Sequence, residues 1–195
     1  MKDQKLLEQI YNQIIKKEPT FLILAGLHGD EPAGNLAAKY FKDFKNVWVW
    51  DSINPTSRRR FQGKDLNRHF EEEGEGEIQK SIEEQIEVLN PTVVISLHED
   101  DEVLGMYAYC SSELKEKVCG CLKEGGIKIA SSVHGDKTEE GVIISGKQPY
   151  RGTLERFLKR RGILYFTLET PSSFYPLQKR VQVMVRVLKE FLKWV

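Results

Sequence analysis

The chain has no bias of charge: 29 lysines and arginines stand against 29 aspartates and glutamates, a balance that carries no electrostatic signature of a nucleic-acid or membrane partner. No apolar run approaches the roughly 20 residues needed to cross a bilayer. Residues 1–19 interrupt every apolar stretch with charges and offer no small-residue cleavage site. They do not read as a secretory signal, and the expected compartment is the cytoplasm. Cysteine is scarce, and its odd count of 3 in a chain long enough to bury a core without staples excludes a disulfide scaffold and fits a reducing environment. Cys119-Gly120-Cys121 has a spacer shorter than zinc-knuckle patterns and no second pair, so Cys110, Cys119 and Cys121 read as packing residues. Internal repeats, low-complexity tracts and linkers are also missing. One domain over 1–195 is the expectation.

What is present is an alternation of two periods. Continuous apolar runs at 20–25, 47–50, 93–97 and 163–168 read as buried strands, with shorter candidates at 106–109, 127–130 and 142–144. Between them, helical spacing recurs at 6–17, 33–41, 78–89, 112–123 and 177–192; Pro32 suits a first turn, and Thr153 can cap a further helix that Gly162 stops. Strands alternating with helices predict an α/β fold, a largely parallel sheet covered on both faces. Residues 51–76 keep no period, and a loop that long in a small domain is usually functional or disordered.

In such sheets ligands bind beyond the carboxyl ends of the strands. His28 and Glu31 follow the first strand, His98 follows the run at 93–97, and Glu169 follows the run at 163–168, so parallel strands would bring four chemically capable groups to one edge. Two imidazoles and a carboxylate are a ligand set suited to catalytic zinc that leaves a position for water, although imidazole and carboxylate do not strictly select that metal. Glu169 is a candidate general base. In the long loop, Arg60, Asn67 and Arg68 offer a guanidinium to clamp a substrate carboxylate and a second cation for a developing oxyanion. Arg58 and Arg59 read as a solvated basic face, and His69 and His134 have no comparable companions.

At these residues the sequence resembles a known family. His28-Gly29-Asp30-Glu31, Asn54-Pro55, Arg60, Asp65-Leu66-Asn67-Arg68, His98 and Glu169 occur in the order found in the zinc carboxypeptidase superfamily. Ser96-Leu97-His98-Glu99-Asp100 and Glu169-Thr170-Pro171 look most like its succinylglutamate desuccinylase and aspartoacylase-like branch. The resemblance runs over roughly 21–180. It implies a three-layer α/β/α sandwich around a mixed, mainly parallel sheet, one zinc ion on His28, Glu31 and His98, and Glu169 as general base. It also implies Arg60 at the oxyanion and Asn67 with Arg68 on a substrate carboxylate. Tyr150 is the best-placed counterpart of the mobile tyrosine of larger carboxypeptidases.

Members of that branch with defined amino-acid substrates often carry an added C-terminal domain, whereas this chain ends after the helix that follows Glu169; a single catalytic domain with an open site is expected. The expected activity is hydrolysis of an amide next to a free carboxylate, with a carboxypeptidase on short or cell-wall-derived peptides ahead of a deacylase of N-acyl amino acids. A catalytically silent zinc-binding module is the rival of another class.

Overall fold

The computed structural model describes residues 20–71, 76–144 and 151–193; the helix expected at 6–17 and Tyr150 lie outside them. Among the described residues eight strands are formed: β1 (Phe21–Ala25), β2 (Val47–Trp50), β3 (Val93–Asp100), β4 (Tyr107–Cys110), β5 (Ser132–Val133), β6 (Asp136–Lys137), β7 (Val142–Ile144) and β8 (Leu164–Pro171). The helices are α1 (Pro32–Lys39), α2 (Glu77–Leu89), α3 (Lys115–Glu124), α4 (Leu154–Arg160) and α5 (Leu177–Leu192), with a short 3₁₀ turn, Ser112–Leu114, leading into α3.

Six strands make one sheet in the order β2-β1-β3-β8-β4-β7. β2, β1, β3 and β8 run parallel, while β4 pairs antiparallel with β8 and carries β7 parallel to itself. The sheet is therefore mixed and mainly parallel, the α/β architecture read from the sequence. Segment 127–130 contributes a single bridge, Met106 to Ile129, and no strand.

Because side chains alternate along a strand, each central strand serves both faces. Ile23, Ile95 and Phe166 join α1, α3 and α5 in one apolar layer. Leu22, Val94 and Tyr165 join α2, α4 and residues Leu66 and Phe70 of the long loop in the other. All three cysteines are free and buried, and burial pushes the thiols of Cys110 and Cys121 up, which suits packing and not reactivity.

Helix α1 lies unusually close to β3. Its buried face is Ala33, Gly34, Ala37 and Ala38, and a Cβ on Gly34 would meet the Leu97 side chain at 3.1 Å. Small residues thus bring the N-terminus of α1, with Glu31, up to the strand that carries His98.

Candidate metal centre

The turn after β1 and the upper end of β3 meet at Glu31. His28 Nδ1 lies 2.7 Å from Glu31 Oε1, and His98 Nδ1 lies 2.9 Å from Glu31 Oε2. All three residues are buried, and one ligand atom from each falls within 4.8 Å of the others. The other imidazole nitrogens are held from behind: His28 Nε2 is 2.9 Å from Asp65 Oδ1, and His98 Nε2 is 2.9 Å from Ser96 Oγ. Partners on the far nitrogen fix the tautomer and aim of a metal-binding histidine. The donor set, its convergence and its backing therefore fit a divalent metal ion.

Two features of the chain build this turn. Gly29 donates its N–H to the Arg58 carbonyl at 3.0 Å, and a Cβ there would stand 1.8 Å from the Thr56 carbonyl oxygen, so only glycine permits the approach. Asn54, buried, orders the opposing segment: its amide donates to the Arg58 carbonyl and its oxygen accepts from the Thr56 N–H, both at 3.0 Å. That segment delivers Arg59, whose Nη2 donates to Glu31 Oε1 at 3.2 Å.

Glu169 is placed by register. It pairs with His98 across β3–β8 and with Tyr107 across β8–β4, so the three side chains stand in a row on one face. Both His98 and Glu169 lie inside their strands rather than beyond them, since the β3–β8 ladder continues to Asp100 and Pro171. Burial, then the charges of Glu31, Asp100 and Glu155, hold the Glu169 carboxyl well above the usual carboxylate range, against the pull of Arg59. Strong perturbation of this kind is characteristic of functional carboxylates.

An open cleft of about 550 Å³ lies over this row and is lined by His28, Glu31, His98, Glu169, Asn67 and Arg68, among others; its size is in the range of small-molecule sites. Asn67 Oδ1 accepts the Leu154 N–H at 3.0 Å. Its carbonyl oxygen is thereby engaged, which leaves its NH₂ group as the part able to face a ligand. Arg68 is exposed at the rim, with Nη1 donating to the Asn67 carbonyl at 2.6 Å. The structure does not bring Arg60 to the cleft: it is exposed and absent from the lining, whereas Arg59 lines it.

Several residues in or behind the cleft have no role assigned from the sequence. Asp65, two residues before Asn67, stands behind His28 and not in the lining, and its spacing alone does not show that contact. Glu155, in the first turn of α4, is buried on the cleft floor and accepts from Thr167 Oγ1 at 2.6 Å. His134, in the tight β5–β6 hairpin, reaches the cleft with Nε2 3.4 Å from Asp100 Oδ2. His69 lies exposed and off the lining.

The side chains of the centre form a network of charge. Burial opposes a charge on His28, but its hydrogen bonds to Asp65 and Glu31 and their charges outweigh that, raising it to about 9. Burial likewise opposes ionised Glu31 and Asp65, yet the facing imidazoles, with the Asn67 N–H at Asp65, bring each to about 2. A raised histidine contributes stability that is complete below its ordinary value of 6.5 and is lost as pH rises through about 9. The depressed carboxylates contribute above their ordinary values of 4.5 and 3.8, and that contribution is lost as pH falls toward about 2. Glu169, being raised, lowers stability as pH climbs above 4.5. Metal-free protein should therefore melt highest near pH 4.5 to 6.5, toward the acid end of that window, and lower on both sides. Thermal melts from pH 3 to 10 would check this, and a melting temperature still rising between about pH 7 and 9 would rule out a protonated His28.

No protein-family model matches the sequence, and no curated protein does either. Solved structures do resemble the fold. A proposed metallopeptidase from Shewanella denitrificans superposes with a TM-score of 0.76 at 23% identity, over 92% of this chain and 76% of that one. A second, from Shewanella amazonensis, gives 0.74 at 24% identity, over 90% and 77%. The mDAP-bound form of Helicobacter pylori Csd4, a D,L-carboxypeptidase, gives 0.70 at 18% identity, over 90% of this chain and 50% of that one. At these identities the likeness establishes a shared fold. Among the described residues, no helix is long and apolar enough to cross a membrane.

Proposed function

We propose that this chain is a zinc-dependent hydrolase that cleaves an amide bond next to a free carboxylate, acting as a carboxypeptidase on short or cell-wall-derived peptides. The observation that carries the reading is the placement of the buried His28–Glu31–His98 set beside Glu169, in register with His98, in one open cleft. His28, Glu31 and His98 would hold the metal, with Asp65 and Ser96 orienting the two imidazoles. Zinc bound there supplies a Lewis acid that polarises the scissile carbonyl and lowers the pKa of water.

The remaining work falls to the protein's own groups. Glu169, whose ionised form a cation bound beside it would favour, would accept the proton of the attacking water at its carboxylate and return it to the leaving nitrogen. Asn67 NH₂ and the Arg68 guanidinium hold the substrate carboxylate, a planar anion that a guanidinium fork matches. The oxyanion role expected of Arg60 is proposed instead for Arg59, the guanidinium that already reaches Glu31. Tyr150 remains the candidate for a substrate-binding tyrosine. The fold shared with a D,L-carboxypeptidase favours peptides over N-acyl amino acids as substrates.

The test is a panel assayed with zinc-loaded protein: peptides with a free C-terminal carboxylate, their amidated counterparts and N-acyl amino acids. Turnover confined to the free-carboxylate peptides is expected, and Arg68→Ala should raise KM about ten- to a hundred-fold with little change in kcat. Preferential cleavage of N-acyl amino acids would replace the peptidase reading with a deacylase. Stoichiometric zinc without hydrolysis anywhere on the panel would make the chain a silent binding module.

A further inference from the structure

Glu31 stands at the N-cap position of α1 but makes no capping hydrogen bond with its side chain, because both carboxylate oxygens are turned to the imidazoles. The helix must be capped by something else, since its first N–H groups lack partners within it. Pro32, at the first position, has no N–H to satisfy. The next donor, Ala33 N–H, is accepted at 2.9 Å by Glu99 Oε2. Glu99 neighbours His98 on β3 and points to the opposite face, as successive strand residues do. Its carboxylate is buried and its other oxygen pairs with the Arg180 guanidinium from α5.

One buried carboxylate thus ties together the helix that begins beside Glu31, the strand that carries His98, and α5. A charge in that position also suits the positive end of the helix dipole. Burying an ion pair is a poor route to stability compared with apolar packing, so its place beside the two ligand-bearing elements calls for another reason. We propose that Glu99 is a positioning residue for the metal centre: it supplies the cap of α1 that Glu31 cannot, which frees Glu31 for the metal and fixes its distance from His98. The inference rests on the metal-centre reading above.

The experiment measures zinc affinity by competition with a chelator, well below the melting temperature of each metal-free variant, together with the absorption spectrum of the cobalt(II)-loaded protein as a report of ligand geometry. Glu99→Leu keeps bulk and removes the acceptor; its zinc affinity should fall about ten- to a hundred-fold, with an altered cobalt spectrum. Glu99→Gln retains an acceptor for Ala33 while losing the charge against Arg180, so it should melt lower yet bind zinc within about three-fold of the parent protein. If Glu99→Leu does not fold, Glu99→Asp, which keeps the charge but withdraws the carboxylate by one carbon–carbon bond, should show the same loss of affinity. Unchanged affinity and spectrum in the folded Leu or Asp variant would reduce Glu99 to a structural ion pair and overturn the inference. Failure of the parent protein itself to take up zinc would instead overturn the metal reading, and is distinguished by needing no variant.

Discussion

Glu169→Gln should lower kcat by about 10²- to 10⁴-fold, the usual contribution of a general base, while zinc content and KM stay near those of the parent protein. The substitution keeps shape and removes only the ability to accept a proton. Glu169 is outside the group of three ligands, so the metal centre should survive. A second readout has the opposite sign. The Glu169 carboxyl is held neutral-leaning by burial and by Glu31, Asp100 and Glu155, so its ionisation opposes folding. A neutral amide removes that opposition, and the metal-free variant should melt higher than the parent at pH 8, where the parent carboxyl is under most pressure to ionise. Gain of stability with loss of turnover is the pattern of a residue kept for chemistry. Turnover within about two-fold of the parent would remove Glu169 from the mechanism.

The convergence of His28, Glu31, His98 and Glu169 was legible in the sequence because it depends on crude features. Continuous apolar runs at 20–25, 93–97 and 163–168 mark strands buried on both faces, such strands are usually parallel, and parallel strands end at one edge. Register is finer than that. Nothing in the apolar runs showed that β3 and β8 continue through Asp100 and Pro171, which sets Glu169 beside His98 as a neighbour in the ladder. The direction of β4 was equally hidden, because four residues, Tyr107–Cys110, pair as readily either way.

The long loop carries the least structural signal in its sequence. With no period, its sequence could not show which guanidinium of Arg58, Arg59 and Arg60 faces inward. The answer depends on Gly29, distant in sequence, and on the side chain of Asn54 folding back on the Arg58 carbonyl; together they set the path of the chain at 54–59. The contacts of Asp65 and Glu99 escaped for a similar reason. Each binds a backbone or imidazole group from another element, and such pairings have no signature in local spacing.

Glu31→Gln is expected to have the larger effect on the metal, and it separates the centre from the chemistry performed beside it. Glu31 is the hub: each of its oxygens meets one imidazole, at 2.7 and 2.9 Å. An amide can offer one oxygen and must present an NH₂ group where the second oxygen stood, facing an imidazole that has to be neutral to bind metal. Zinc affinity should therefore fall by more than the about 10- to 100-fold typical of losing a residue behind a ligand, and hydrolysis should fall with it. The metal-free variant carries an independent mark. His28 is raised to about 9 by Asp65 and Glu31 together against its burial, so with Glu31 neutral it should titrate lower, and the alkaline loss of stability should begin at lower pH. Calorimetric zinc titration and an NMR titration of the His28 ring would measure the two effects. Parent-like zinc affinity in Glu31→Gln would exclude Glu31 as a ligand, whereas lost affinity here beside retained affinity in Glu169→Gln would assign one carboxylate to holding the metal and the other to moving the proton.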